Sequence, residues 1–212
     1  MKKMTLLLLA LGMIFALAGC GADTAGGEST GEAAASASPQ KQQTGGQHAA
    51  RILVAYFSPT HSTEKLAEYA AEELQADLYA INPAVPYTAA DLDYHNDSSR
   101  STLEMHDAGS RPAIAAGVEN MQQYDIVLIG YPIWWGEAPR IVSTFVESYD
   151  FAGKTVIPFC TSAASDMGSS AENLARLTKG ADWLPGRRFG ADSSREDVAA
   201  WVNGLGVKGS AQ

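Results

Sequence analysis

With 212 residues, 15 basic against 24 acidic side chains and a formal net charge of −9, the chain is long enough to bury a sizeable core. It is too acidic to be a general nucleic-acid ligand. His48, His61, His95 and His106 show no metal-ligand spacing, which argues against a histidine-built metal centre.

The first 20 residues read as a targeting segment. Lys2 and Lys3 form a positive start and Leu6 to Leu17 an apolar run, shorter than the roughly 20 residues that a membrane span needs. Leu17-Ala18-Gly19-Cys20 resembles the lipobox at which bacterial prolipoproteins are cleaved and acylated, which makes Cys20 the expected lipid-bearing residue. The expected location is therefore the extracytoplasmic side of a membrane, held by the lipid alone. Loss of Lys2 and Lys3 would leave 13 basic against 24 acidic residues. Cys160 would remain as a single thiol, so no intramolecular disulfide is expected.

Residues 21 to 50 carry no aromatic and no large aliphatic side chain, and cannot bury enough apolar surface to offset the entropy of ordering. A flexible tether is expected, holding the domain of residues 51 to 212 on average about 30 Å from the lipid.

The domain opens on Ile52 to Phe57, an unbroken apolar run that fits a strand buried on both faces. Ser58-Pro59-Thr60-His61-Ser62-Thr63 follows at once, and then a helical pattern with Leu66, Ala67, Tyr69, Ala70 and Leu74 on its apolar face. A helix start behind a hydroxyl-rich turn offers unpaired N–H groups, a favourable dipole and O–H donors together, which is an anion site for a phosphate. A single Ser or Thr there would be read as an ordinary helix cap; four hydroxyls in six positions point to a ligand. No Lys or Arg lies in the loop, so it is not a nucleotide-triphosphate loop.

Further along, Asp77 to Pro83 reads as a second strand ended by proline. The polar stretch Ala84 to Asn120 has helical patches at Ala89 to Tyr94 and Ser99 to Met105. Its length suits a lid or binding loop, and a solvated helix with ordinary charges is the other reading. Asp125 to Gly130 is a third strand. It leads into Tyr131-Pro132-Ile133-Trp134-Trp135-Gly136, at the strand end where α/β sheets place ligands. The two tryptophans offer stacking area to a planar aromatic ligand, or else pack the core and close the loop on the helix Pro139 to Tyr149. Lys154 to Phe159 is a fourth strand, followed by a small hydroxyl-rich loop from Cys160 to Ser170. Cys160 is either a redox thiol or inert packing. Ala171 to Leu177 reads as a helix. Asp182 to Phe189, broken by Pro185 and Gly186, reads as an edge strand. Ser194 to Leu205 reads as a helix with Ser194 and Asp197 as a capping box. The alternation predicts an α/β domain with a parallel sheet between helix layers.

Tyr56, Ser58, Thr63 and Ala67 match the phosphate-binding loop of the flavodoxin-like family, with His61 where that family usually has Gly or Ala. Pro132 to Gly136 resemble a two-tryptophan variant of the family's loop beside the isoalloxazine ring. The loop after the fourth strand is similar to its second ring-contacting loop. The resemblance covers residues 51 to about 205 and implies a five-stranded parallel sheet of order 2-1-3-4-5 with FMN at the switch point between strands one and three. It further implies that Ser58, Thr60, His61, Ser62 and Thr63 hold the phosphate. Pro132, Ile133, Trp134, Trp135 and Gly136, with Thr161, Ser162, Ala163 and Gly168, would then meet the ring. Acidic surroundings are expected to disfavour an anionic reduced flavin. Two functions stay open: an FMN-dependent electron carrier or quinone-type reductase, whose partner is a redox protein or a quinone, or a flavin-free binding module on the same fold. Ser58 and His61 lack the elbow and third member of a hydrolase triad.

Overall fold

The computed structural model describes residues 50–207; the expected signal segment, Cys20 and residues 21–49 of the tether lie outside the described residues. Among the described residues the elements run β1 (Ile52–Tyr56), α1 (Ser62–Leu74), β2 (Asp77–Ala80), α2 (Arg100–His106), β3 (Ile126–Pro132), α3 (Arg140–Glu147), β4 (Thr155–Thr161), α4 (Ser170–Ala175), β5 (Asp182–Trp183), β6 (Arg187–Phe189) and α5 (Arg195–Gly204), strands and helices alternating except at β5 and β6. Among the described residues the named strands all pair in parallel, in the order β2-β1-β3-β4-β5, with β6 also on β4. The fifth strand is thus present in two halves, giving the expected 2-1-3-4-5 sheet. It lies at the edge, as its proline and glycine predict.

Strand alternation divides the core into two layers. Leu53, Ala55, Val127, Ile129, Tyr131, Val156 and Cys160 pack with Ile141, Val142 and Phe145 of α3 and Leu174 of α4. Ile52, Val54, Tyr56, Leu128, Ile157 and Phe159 pack on the other face with Leu66, Ala67 and Ala70 of α1 and Val198, Trp201 and Val202 of α5. Every residue of β1 is buried, which is why its sequence is continuously apolar instead of alternating.

Three departures from the sequence reading have physical causes. β2 ends at Ala80, with one last bond from Ile81 N to Tyr56 O at 2.7 Å, because Asn82 to Ala84 pair elsewhere: Pro83 bridges Ile114 antiparallel, with Ala84 N donating to Ala113 O at 2.8 Å and Ala115 N to Asn82 O at 2.8 Å. Residues 89–94 form turns instead of the expected helical patch, because polar side chains in and beside the segment make local bonds to backbone that favour turns on both sides of it. Asp91 Oδ2 accepts from Thr88 N at 2.8 Å, Asp93 Oδ1 from His95 N at 3.0 Å and Asn96 Oδ1 from Ser98 N at 2.9 Å. The fifth strand breaks where Gly186 faces Pro158, whose carbonyl would lie 2.4 Å from any added Cβ. The helix expected at Ser99 to Met105 is α2, with Ser99 as its cap, and the Ser194/Asp197 capping box is complete.

β3 and β4 run two residues further than expected, pairing Tyr131 with Cys160 and Pro132 with Thr161. They carry their loops to the same carboxyl edge as the turn after β1. That edge is the topological switch point.

Candidate functional site: three loops at the switch point

The turn after β1 is held from below. Ser58 Oγ accepts from Thr63 N at 3.1 Å, and the Thr63 hydroxyl, buried, meets the Thr161 hydroxyl at 2.7 Å. Two residues expected to contact the ligand therefore stitch the β1 and β4 loops together beneath it. Among the described residues the amides of Thr60, Ser62 and Glu64 have no hydrogen-bond partner, and neither do the hydroxyls of Thr60 and Ser62. Three unpaired amides at the start of the 13-residue α1 form an anion cradle. His61 sits at φ 63°, ψ 1°, a left-handed conformation that costs a residue with a Cβ roughly 1–2 kcal/mol. A glycine would avoid that cost, which fits the small residue expected at this position from the resemblance. Its Nδ1 contacts Glu64 Oε2, while Glu64 Oε1 accepts from the Tyr56 hydroxyl at 2.9 Å. These two partners, the His61 contact first, hold the Glu64 carboxyl below its ordinary range.

The loop after β3 is a two-residue hairpin. Trp134 N and O pair with Glu137 O and N, both at 2.9 Å, and Trp135 and Gly136 have φ of 48° and 77°. Two positive φ values make a type I′ turn, which favours Asn-Gly and strains a tryptophan. The turn divides the two indoles. Trp134 packs edge-on against Phe57 and Tyr87, at centroid distances of 5.5 and 5.6 Å. Trp135 stays 42% exposed, with His106 of α2 at 6.4 Å. A cavity of about 340 Å³ opens beside them, lined by Leu92, Tyr94, Ser101, Ile133, Trp134 and Trp135.

In the loop after β4, Arg188 of β6 donates to Ser162 O at 2.7 Å and to Ala163 O at 2.9 Å. Ser165 N donates to Ser162 Oγ at 2.9 Å. The loop's far end closes on the β3 hairpin: Asn173 Nδ2 and Ser169 Oγ donate to Glu137 at 2.8 and 3.2 Å, and a Cβ on Gly168 would lie 3.3 Å from Gly136 O. Ile133 N donates to Thr161 O at 2.9 Å. Cys160 is buried in the core, and burial pushes its thiol up to about 12, so it is neutral packing at ordinary pH.

Residues 51–205 match the model of the family described as flavodoxin. The chain belongs to the flavodoxin family. A protein from Bacteroides eggerthii described as a flavoprotein is 46% identical, with a TM-score of 0.70 over 75% of this chain and 99% of that one. A similar Bacteroides uniformis protein is also 46% identical, with a TM-score of 0.70 over 73% and 99%. A Lactobacillus acidophilus flavoprotein in complex with FMN shares the fold at 22% identity and a TM-score of 0.55, over 66% and 93%. No curated protein matches the chain.

On this flavodoxin frame the donor set fits a phosphorylated planar cofactor. The unpaired amides could take a phosphate, the indole-lined cavity could take a planar ring system, and the small exposed residues after β4 leave backbone open to a ring edge. The structure adds residues that sequence reasoning missed. Phe57 and Tyr87 meet at 5.7 Å and complete the cluster around Trp134. Arg100 lies 3.9 Å from the Tyr87 ring and donates to Glu104 at 2.6 Å, and Glu104 accepts from the Tyr87 hydroxyl. Burial first, then that carboxylate, pushes the Tyr87 phenol upward. Tyr87, tied to Arg100 and Glu104 of α2, is thereby held against Phe57 and Trp134. Its place directly after Pro86 was the available signal. A second cavity, of about 210 Å³, lies between the β1 turn and this stretch, lined by Ser58, His61, Glu64, Asn82 and Tyr87 among others. Among the described residues no helix is long and apolar enough to cross a membrane.

Proposed function

We propose that the protein is an FMN-binding redox flavoprotein, tethered by an acylated Cys20 outside the cytoplasmic membrane. The observation that carries this reading is the cradle of unpaired Thr60, Ser62 and Glu64 amides, at the same sheet edge as the Trp134–Trp135 cavity. Flavin supplies reversible one- and two-electron chemistry when bound. The cradle amides, with the Thr60 and Ser62 hydroxyls, hold the phosphate without a basic side chain. Trp134, backed by Phe57 and Tyr87, fixes one wall of the ring site, and Trp135 closes part of it from water. Thr63 and Thr161 act through the loops that they join. Cys160 takes no part in electron transfer. The flavin-free alternative rested on His61 in the phosphate loop; the neighbouring Thr60, Ser62 and Glu64 amides stay unpaired beside it, which favours the flavin reading.

For an electron carrier in this location the natural donor is a membrane quinol or a membrane-bound redox protein, since nicotinamides are scarce outside the cytoplasm. The test is to load the purified protein with FMN and follow bleaching of its absorbance under anaerobic conditions. Slow bleaching by NADH and NADPH, with rapid bleaching by a reduced quinone, is expected. Rapid bleaching by a nicotinamide without a partner would overturn the carrier assignment in favour of a nicotinamide-dependent reductase.

A further inference from the structure

The loop after β4 presents two adjacent free donors backed by a cation. Arg188 Nη2 binds the carbonyls of Ser162 and Ala163 at 2.7 and 2.9 Å, and its buried Nε has no partner among the described residues. In a trans peptide the C=O and the following N–H point in opposite directions. The amides of Ala163 and Ala164 therefore face away from the guanidinium. Both residues are exposed, and among the described residues neither amide has a hydrogen-bond partner. The flanking amides are committed, Ser162 N to Phe189 O at 3.1 Å and Ser165 N to Ser162 Oγ at 2.9 Å.

We propose that Arg188 is a positioning residue that aims the Ala163 and Ala164 amides at the acceptor edge of the flavin's pyrimidine ring and tunes its potential. The proposal rests on the FMN reading above. Two electrons and one proton, delivered by a quinol or a chemical reductant, add one net negative charge to the ring. Fixed donors aimed at that charge stabilise it without reorganising. A guanidinium on the far side of the same peptide units polarises them, since hydrogen bonds in a chain strengthen one another. The chain's overall acidity predicts the opposite influence. Charges beyond a Debye length of about 8–10 Å are largely screened, however, so the local cation dominates. Arg188 accordingly favours the reduced cofactor over the oxidised one.

The experiment measures the two-electron midpoint potential of the FMN-loaded full chain by dithionite titration against reference dyes, for wild type, Arg188→Met and Arg188→Lys. Backbone amide resonances are followed in parallel as FMN is added to the wild type. Arg188→Met is expected to weaken the preference for reduced over oxidised FMN at least tenfold, lowering the potential by about 30 mV for a two-electron couple. Arg188→Lys keeps the charge but not the planar, rigid guanidinium that places it against the two carbonyls, and should fall between wild type and Arg188→Met. The Ala163 and Ala164 amides should shift downfield on loading. A potential unchanged in both variants, or amides that do not move in the wild type, would overturn the proposal while leaving FMN binding intact. A wild type that binds no FMN would instead overturn the cofactor reading. If Arg188→Met does not fold, the lysine variant and the wild-type amide shifts decide.

Discussion

Trp135 occupies the first central position of a type I′ turn at φ 48°, where Asn or Gly is strongly preferred, so Trp135→Asn separates backbone strain from ring contact. The indole is a little over half buried. Burying roughly 130 Å² of apolar surface stabilises by at most about 3 kcal/mol, and by about 2 kcal/mol once a compact unfolded chain is allowed for. Relief of the left-handed strain returns roughly 1–2 kcal/mol. The variant should therefore lose about 1 kcal/mol or less, a drop in Tm of roughly 2–4 °C for a domain of this size. Losing a stacking surface at the ring costs roughly 1–3 kcal/mol, a weakening of FMN binding of roughly 5- to 150-fold. Riboflavin, which lacks the phosphate, should weaken by the same factor, because the two ends of the site act independently. Thermal unfolding of the apoprotein and fluorescence titrations with both flavins supply the numbers. A large fall in Tm with unchanged flavin affinity would make Trp135 a packing residue and refute the assignment.

Two further predictions concern the loop supports. Thr63→Val leaves the buried Thr161 hydroxyl without its partner and should cost about 1–3 kcal/mol in urea unfolding. The double variant with Thr161→Val should recover most of that loss, because no orphan then remains; additive losses would show that the two hydroxyls do not interact. The Glu64 carboxyl is depressed by the His61 contact first and the Tyr56 bond second. A depressed folded-state pKa gives stability that is present above the unfolded value, about 4.3, and lost as pH falls through the folded one. The urea midpoint of wild type should exceed that of Glu64→Gln at pH 6, and the gap should close toward pH 3. A gap that widens on acidification would contradict the assignment.

The central strands β1, β3 and β4 were legible because they are buried on both faces and read as continuous apolar runs between glycine, proline and hydroxyl turns. The order 2-1-3-4-5 came from family resemblance, since periodicity alone does not rank strands. Ser58 to Thr63 was legible as a cradle by composition, but not in which groups face the ligand. Thr63 and Thr161, 98 residues apart in sequence, bond each other only because β1 and β4 flank β3. Proline at 132 and glycine at 136 marked the hairpin ends, whereas the strain at Trp135 has no local signature. Residues 89–94 misled for a definable reason: Asp91 and Asp93, with Asn96 beyond them, bond local backbone and favour turns where the apolar spacing suggested a helix. Arg188 was invisible as a site residue because its role depends on β6 lying beside β4 beyond the Pro185–Gly186 break.

On the proposed function, the Ser58–Thr63 turn holds a flavin phosphate through backbone amides. Equilibrium titration of the purified protein with FMN and with riboflavin, followed by flavin fluorescence quenching, tests it most directly. A single site that prefers FMN by at least tenfold is predicted, since charge-assisted hydrogen bonds are worth about 1.5–3 kcal/mol each. Equal affinity for the two flavins, or binding of neither, would contradict it.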